Sequence, residues 1–462
     1  MALDLLNDPT NKVLNKMSLP ISLGMLSTML FQVVDTYFVG TLGSQPLTAL
    51  GFSSTIYFLM IGVFMGSAIA ISIMVGTAFG EKNKKKVKQL ATNGLITGFF
   101  LAAVLSIICY FTIDPLFTFL GAETAIIPLI EAYLQPLFIA MPFLSVGLVA
   151  GSIARASGNA SFPEIILGVA GIINLFLDYA FIFGKFGLPP LGIQGVAIGT
   201  GLSWLFIFLV MMVYMIKRQY IVFPHSKAIK SFGNDILRLG IPSIVAQVVA
   251  PFTLVFVTYL LGKIDSNAVA AYGVAGRIET LLTAGVMGVC TAMTPFIAQK
   301  MGAKKVERID SAIIYGGKAA TYLGILSFII LLLFITRIAG IFTDSELIIN
   351  YTSWYFYLVG GSYVFYGIYL VTASIFNGLQ LPNKSLKVML VKTIAFTIPL
   401  TILGSFFSIH GVFIGLAISN ILGGLYARLV MRKELKKANS SLVKRSPTED
   451  ILNDIKLLFR SK

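Results

Sequence analysis

The chain has 462 residues, of which 56% are hydrophobic and 12% are charged, whereas an average soluble domain carries about 25% charged residues. Its net charge is +15, but the lysines lie in short polar breaks between long apolar stretches, and a nucleic-acid-binding surface would instead need a basic face on a soluble fold. These features exclude a soluble domain and a nucleic-acid partner, and they predict an integral membrane protein.

Twelve apolar stretches follow one another, each long enough to cross a hydrocarbon core of about 30 Å as a helix. They are residues 16–40, 49–76, 89–112, 127–152, 163–183, 192–216, 235–262, 269–298, 311–336, 349–376, 385–406 and 409–431. The fold class predicted is therefore all-α integral membrane, with twelve transmembrane helices. The predicted domains are an N-terminal six-helix lobe (1–218), a cytoplasmic linker (219–234), a C-terminal six-helix lobe (235–432) and a cytoplasmic tail (433–462).

Basic residues concentrate in every second break between the apolar stretches. The richest segments are 80–89, 217–238, 300–308 and the tail after Arg428, and the intervening breaks have almost none. Such alternation is the positive-inside pattern. The first fifteen residues contain no short apolar run with a cleavage site, so no signal peptide is predicted. Both termini are therefore expected in the cytoplasm.

The two halves of the chain are related by an internal repeat with an offset of 222 residues. Pro20 lies on Pro242, Thr36-Tyr37 on Thr258-Tyr259, Gly40 on Gly262, Gly51 on Gly273 and Gly66 on Gly288. Six helices per repeat is an even number, so both repeats cross the membrane in the same orientation, related by a pseudo-twofold axis along the membrane normal. Duplicated bundles of this kind are typical of transporters that expose a site alternately to each side.

Ionisable side chains inside a membrane span are costly and point to function. Asp35 in the first span and Asp178 in the fifth each lie about five residues before the outer end, roughly 8 Å below the boundary at 1.5 Å per residue. Asn174 is four residues before Asp178 and therefore shares its helix face. The sequence predicts a polar pocket formed by these three residues. Its equivalent is missing from the second repeat, where Asp35 falls on Val257.

This pocket has the chemistry of ion coupling. Burial and a second nearby carboxylate both favour the protonated form of an acid, and such a pair titrates as a unit. Pro20 removes a backbone hydrogen bond from the first helix and gives that helix a place to bend. One charge crossing 100 mV supplies about 2.3 kcal/mol, enough to sustain a substrate gradient of roughly fiftyfold.

Other charges within the spans have weaker functional interpretations. Arg277 and Glu279 are two residues apart, so they face opposite sides of a helix and each is expected to pair with another element. Lys392 is expected to extend toward the cytoplasmic interface. The chain lacks a His-Glu-x-x-His arrangement and a nucleophile elbow. An enzyme is therefore not predicted, and neither is a metal site nor an organic cofactor.

Several short motifs occur together in a fixed order. They are Asp35-Thr36-Tyr37-Phe38-Val39-Gly40, Ala49-Leu50-Gly51, Gly80 with its lysine loop, and Arg155-Ala156-Ser157-Gly158-Asn159 followed by Pro163. With them the sequence resembles the multidrug and toxic compound extrusion (MATE) family, in its DinF-type prokaryotic branch. The resemblance implies an antiporter in the bacterial inner membrane that expels cationic, amphiphilic compounds.

The same resemblance implies roles for individual residues. In the DinF-type branch the coupling pocket matches Asp35, Asn174 and Asp178, and the first helix bends at Pro20 when the carboxylate is protonated. Tyr37 and Thr200 are expected to extend the pocket. The NorM-type branch also uses carboxylates on its seventh and tenth helices. Here residues 349–376 contain no acid, and the seventh span offers Gln247 but no acid beyond Asp235 at its cytoplasmic edge, which favours coupling in the N-terminal lobe.

Three alternatives stay open at the level of sequence. Protons are the leading coupling ion, and sodium is the runner-up, because carboxylates and an amide also suit a hard cation. Lipid or oligosaccharide flipping is less favoured, since it would need a strongly cationic cavity. The partners expected are small organic cations and membrane lipid, with the protein acting as a monomer. The sequence names no individual substrate.

Overall fold

The structure, a computed structural model, describes residues 5, 7–223 and 226–437, without side chains for 226–231. Within these ranges it contains helices and turns but no strand, and twelve helical segments are long and apolar enough to span a membrane. Their bounds are Thr10–Thr41, Ser44–Gly80, Lys84–Phe111, Ile127–Ala156, Ser161–Phe183, Ile193–Lys217, Phe232–Gly262, Ser266–Gly302, Val306–Gly340, Glu346–Gly378, Pro382–Ser405 and Ile409–Lys437. The prediction of an all-α membrane fold with twelve spans is confirmed. We refer to these segments as the first to the twelfth span.

Helix ends and interruptions differ from the predicted apolar stretches. The first helix begins at Thr10, because polar residues that hydropathy leaves out still continue its hydrogen bonding. A short helix, Ile113–Phe119, follows the third span. The tenth span contains a 3₁₀ turn at Gly360–Ser362, and the eleventh contains a π-helical turn at Val391–Thr397. The seventh helix begins at Ser226, inside the predicted linker.

The chain packs as two compact units. One comprises Leu19–Pro251, and the other comprises the described residues of Asp4–Ser18 and Phe252–Lys462. The change from one unit to the other thus falls inside the first and seventh helices, next to Pro20 and at Pro251. The predicted lobe boundaries concern the repeat and stay a prediction. Residues 438–462 of the predicted tail lie outside the described residues.

In the first unit the fourth span is the most buried helix, and it packs against the second, third and sixth spans. Small residues let these helices approach closely, as is common in membranes. The Ser145 hydroxyl donates a hydrogen bond of 2.9 Å to the carbonyl of Gly98 on the third span. Gly195 on the sixth span lies against the backbone of Phe181 on the fifth. This last contact brings the fifth and sixth spans together beside Asp178.

The core of the second unit is rich in buried aromatic residues. Val257 and Tyr272 share one cluster with Tyr355, Tyr363 and Phe413. Glycines again set the spacing, since Gly424 on the twelfth span lies against the backbone of Phe365 on the tenth. Two of these tyrosines belong to the tenth span, and Tyr272 belongs to the eighth.

Candidate functional site

The first and fifth spans lie side by side in a matched register within the first unit. Gly24 lies against the side chain of Glu164, and the ring of Phe31 fills the space that a side chain at Gly171 would occupy. These contacts are seven residues, or about two turns, apart on both helices. Asp35 lies four residues beyond this second contact on the first helix and Asp178 lies seven residues beyond it on the fifth, so the two acids are within about one turn of each other in depth. The depth argument from the sequence thus corresponds to a direct packing relationship.

A hydrogen-bonded polar cluster is centred on Asp178, whose side chain is fully buried. The Asn174 amide donates to Asp178 Oδ1 at 3.1 Å and to Thr200 Oγ1 at 3.3 Å. Asn174 itself is buried, and Thr200 belongs to the neighbouring sixth span. The structure therefore brings together Asp35, Asn174, Asp178 and Thr200 from three helices.

The two carboxyl groups lie close enough to share a hydrogen bond when one of them carries a proton. Two buried oxygens, Asp35 Oδ1 and Asp178 Oδ2, accept no hydrogen bond from any residue that the structure describes. Ionised carboxylates only accept hydrogen bonds, so a proton on either acid would supply the missing donor. The arrangement is suited to holding one proton between two acids.

Gly199 on the sixth span makes this arrangement possible. A Cβ at that position would overlap Asp178 Oδ1, and it would lie 3.2 Å from the Asp178 backbone nitrogen. Only glycine lets the sixth span approach the carboxylate this closely. The backbone of the sixth span thereby closes one side of the pocket.

Aromatic side chains near the carboxylates had no functional interpretation from the sequence. Tyr57 and Tyr133 lie within electrostatic reach of Asp35. The Tyr57 ring stacks on Trp204, with centroids 6.1 Å apart and planes inclined by 16°. No local motif singles out Tyr57, Tyr133 or Trp204. Their position depends on how four helices pack, which a single sequence does not specify.

Two predicted site residues lie away from this cluster. Tyr37 is 69% exposed, and its ring packs near Phe38. The physical reason is that residues two apart on a helix point about 200° apart, so Tyr37 cannot share the face of Asp35. Pro20 lies inside the continuous first helix, fifteen residues or about 22 Å before Asp35. It can affect the pocket only through the shape of that helix.

Lys392 does not extend to the interface as expected. Its side chain is only 9% exposed, and its ammonium lies 5.3 Å from the ring centroids of both Tyr366 and Tyr369. Glu279 accepts a hydrogen bond of 2.7 Å from the Tyr355 hydroxyl, whereas Arg277 is exposed. The expectation that the residues at 277 and 279 face opposite sides agrees with this placement.

The MatE family model matches the chain twice, over residues 20–180 and 242–403. The two matches begin 222 residues apart, the same offset as the internal repeat. Together they cover more than half of the chain.

Individual relatives match over most of their length. A FAD transporter of Shewanella oneidensis is 30% identical over 91% of this chain and 94% of its own. The probable multidrug resistance protein YoeA of Bacillus subtilis is 30% identical over 75% of this chain and 78% of its own.

The solved structure of the Vibrio cholerae MATE transporter VcmN in its bent form has a TM-score of 0.88. It is 27% identical to this chain, covering 93% of it and 98% of VcmN. At that identity the two are different proteins with the same fold. The repeated family match and the shared fold agree with the motifs found in the sequence. The chain therefore belongs to the MatE family of membrane transporters.

Proposed function

We propose that the protein is an antiporter that exports organic compounds in exchange for protons, by alternating access. The observation that carries the proposal is the pair formed by half-buried Asp35 and buried Asp178, with two buried oxygens that have no donor among the described residues. Inside a membrane such a pair is expensive unless it is protonated or occupied. Uptake and release of a proton there would change the packing of the first span against the fifth.

Details of the pocket favour protons over sodium. The Asn174 group directed at Asp178 and Thr200 is the amide nitrogen, which donates hydrogen bonds. A sodium ion would need several oxygen ligands turned toward one point, as hard cations do. A proton needs only the two facing carboxyl groups. Sodium coupling remains the alternative that the experiment below is designed to test.

The coupling step follows from the hydrogen bonds. With both acids ionised, their repulsion opposes close packing of the first and fifth spans. A proton converts one acid into a donor to the other and removes that repulsion. The first helix lacks one backbone hydrogen bond because Pro20 has no N–H, so it can bend there when its outer half moves. Bending of this helix links proton occupancy to the side on which substrate is exposed.

The cargo proposed is a set of small organic compounds, with amphiphilic cations as the first class. The probable multidrug resistance relative from B. subtilis supports this class. The FAD transporter relative of S. oneidensis makes flavin nucleotides a second candidate cargo. We place the protein in a bacterial inner membrane as a monomer, with both termini in the cytoplasm, as the distribution of lysines indicates.

Efflux of ethidium from cells or proteoliposomes tests the proposal. Asp35→Asn removes the titratable group and keeps the size of the side chain, so efflux should fall to background while the protein remains in the membrane. Asp114→Asn is the matched control, because Asp114 is exposed on the short helix after the third span.

Collapsing the proton gradient should stop efflux, and collapsing a sodium gradient should not. Full efflux by Asp35→Asn would refute coupling at this pocket. Efflux that depends only on sodium would refute the proton assignment and support the alternative.

A further inference from the structure

The second unit contains a buried cation that proton coupling in the first unit does not use. Lys392 lies in the π-helical turn Val391–Thr397, a local distortion that is frequent at functional sites. The Thr397 hydroxyl donates to the Lys392 carbonyl at 3.0 Å and so satisfies part of the displaced backbone. The distortion is therefore built into the packing of the eleventh span.

The stem of Lys392 is held in place by the neighbouring twelfth span. A Cβ at Gly423 would lie 2.7 Å from Lys392 Cγ, so only glycine leaves room for this stem. The stem directs the ammonium toward Tyr366 and Tyr369 on the tenth span. Their rings stack on each other with centroids 5.9 Å apart and planes inclined by 22°.

The ammonium has no hydrogen-bond acceptor among the described residues, and no carboxylate among them lies within 4.0 Å of it. Glu279 attracts it only through space, and that carboxylate is already engaged by Tyr355. An ammonium has three donors. Contacts with the two rings offset part of the cost of burying the charge, but they leave its donors unused.

The group formed by Lys392, Glu279 and the two tyrosines is partly accessible. Tyr366 and Glu279 are partly exposed, whereas Lys392 and Tyr369 are buried. A flat molecule that packs on the exposed part of the tyrosine pair could therefore bring an anionic group to the ammonium. That contact would supply the missing acceptor in a site of low water content, where charge-assisted hydrogen bonds are strong.

We propose that Lys392, Tyr366 and Tyr369 form a binding subsite for flat aromatic substrates that carry an anionic group, such as a phosphate. The rings bind the aromatic system and the ammonium binds the anion. The subsite rests on the proposed function as an exporter, and it extends the cargo from organic cations to anionic aromatic compounds such as flavin nucleotides.

Binding of flavin mononucleotide and riboflavin to the purified full-length protein tests this assignment. The two ligands share one ring system and differ by the phosphate, and quenching of flavin fluorescence reports binding without any ion gradient. The mononucleotide should bind at least about tenfold more tightly than riboflavin, as expected for a hydrogen bond to a charged group. Equal affinities in the wild-type protein would overturn the proposal without recourse to any variant.

Three variants locate the anion contact. Lys392→Met should reduce the affinity for the mononucleotide to that for riboflavin, and Lys392→Arg should retain most of the difference. Lys263→Met is the matched control, because Lys263 also lies over a tyrosine ring, Tyr259, but is exposed. Thermal unfolding of each purified variant verifies folding. An unchanged preference for the mononucleotide in folded Lys392→Met protein would refute the role of Lys392.

Flavin binding at Lys392 should be independent of proton coupling at Asp35. Asp35→Asn protein should bind the mononucleotide as the wild type does, since the two sites lie in different units. Loss of ethidium efflux in that variant with normal flavin binding supports both proposals. Normal efflux with normal flavin binding would refute only the coupling mechanism.

Discussion

Replacing Gly199 by alanine is the smallest change that should disable the proposed coupling pocket. The added methyl group would overlap Asp178 Oδ1 and would lie 3.3 Å from the Leu177 Cβ. The carboxylate must therefore rotate away, or the fifth and sixth spans must separate. Either movement breaks the hydrogen bond from Asn174 and shifts Asp178 relative to Asp35.

Two opposing effects determine how Gly199→Ala changes the free energy of unfolding. Alanine in place of glycine inside a helix normally stabilises it by about 1 kcal/mol. The lost hydrogen bond to a charged group costs about 1.5–3 kcal/mol. The net change in the free energy of unfolding is a loss of about 0.5–2 kcal/mol, too small to unfold most proteins. Transport should fall by at least about tenfold, because a hydrogen-bond-sized loss at the coupling pair corresponds to that factor in an equilibrium.

Ethidium efflux and thermal unfolding of purified protein together separate the two effects. Gly168→Ala is the control, because Gly168 lies on the same fifth span as Asp178 and a Cβ there would meet nothing within 4 Å. It should leave efflux unchanged. If Gly199→Ala protein transports at the wild-type rate, the close approach of the sixth span to Asp178 has no part in coupling.

Two further predictions concern stability and bending. Glu164→Gln removes one partner of a buried ion pair with Arg155 (2.8 Å) and should cost about 3–5 kcal/mol of unfolding free energy. Lys86→Ala breaks the exposed pair with Glu81 and should cost no more than about 1 kcal/mol. Equal shifts of the two variants in thermal unfolding would contradict this. Pro20→Ala restores a backbone donor and should slow efflux while raising or preserving the melting temperature, and an unchanged efflux rate would argue against a hinge at this residue.

Helix periodicity and depth within the spans predicted much of the candidate site. Asp35 and Asp178 could be matched from the sequence because both belong to regular helices whose ends are set by hydropathy. Asn174 followed from its position one turn away. The same rule, applied to Tyr37, shows that its side chain points away from Asp35, although the family resemblance had placed it in the pocket.

Side chains that depend on tertiary packing or on irregular backbone could not be predicted. Tyr57 and Trp204 reach the pocket from two helices whose mutual rotation is set by many small contacts. Lys392 is buried and not at the interface because its stem packs against Gly423 and its ammonium lies over Tyr366 and Tyr369, and these contacts between helices leave no local pattern in the sequence. Sequence periodicity predicts the direction of side chains in regular helices, but it does not predict that direction where the helix is irregular.

The two repeats differ at Val257, the position equivalent to Asp35, and the packing around Val257 offers a physical reason. Val257 is fully buried in the aromatic and aliphatic core cluster of the second unit, where a carboxylate would lose its hydration among mostly apolar side chains. Val257→Asp should therefore cost several kcal/mol, enough to abolish the folded protein.

Val257→Thr keeps the shape of valine and should cost about 1–3 kcal/mol. The yield and melting temperature of purified protein distinguish the two variants. A Val257→Asp protein as stable as the wild type would show that the second repeat tolerates an acid at this position. Packing would then not explain why the second repeat has no acid at position 257. The contrast between the repeats would have to come from selection on transport alone. If the variant fails to fold while the threonine variant survives, packing by itself excludes a second acid, and the acid in the first repeat persists only because its own unit provides polar neighbours.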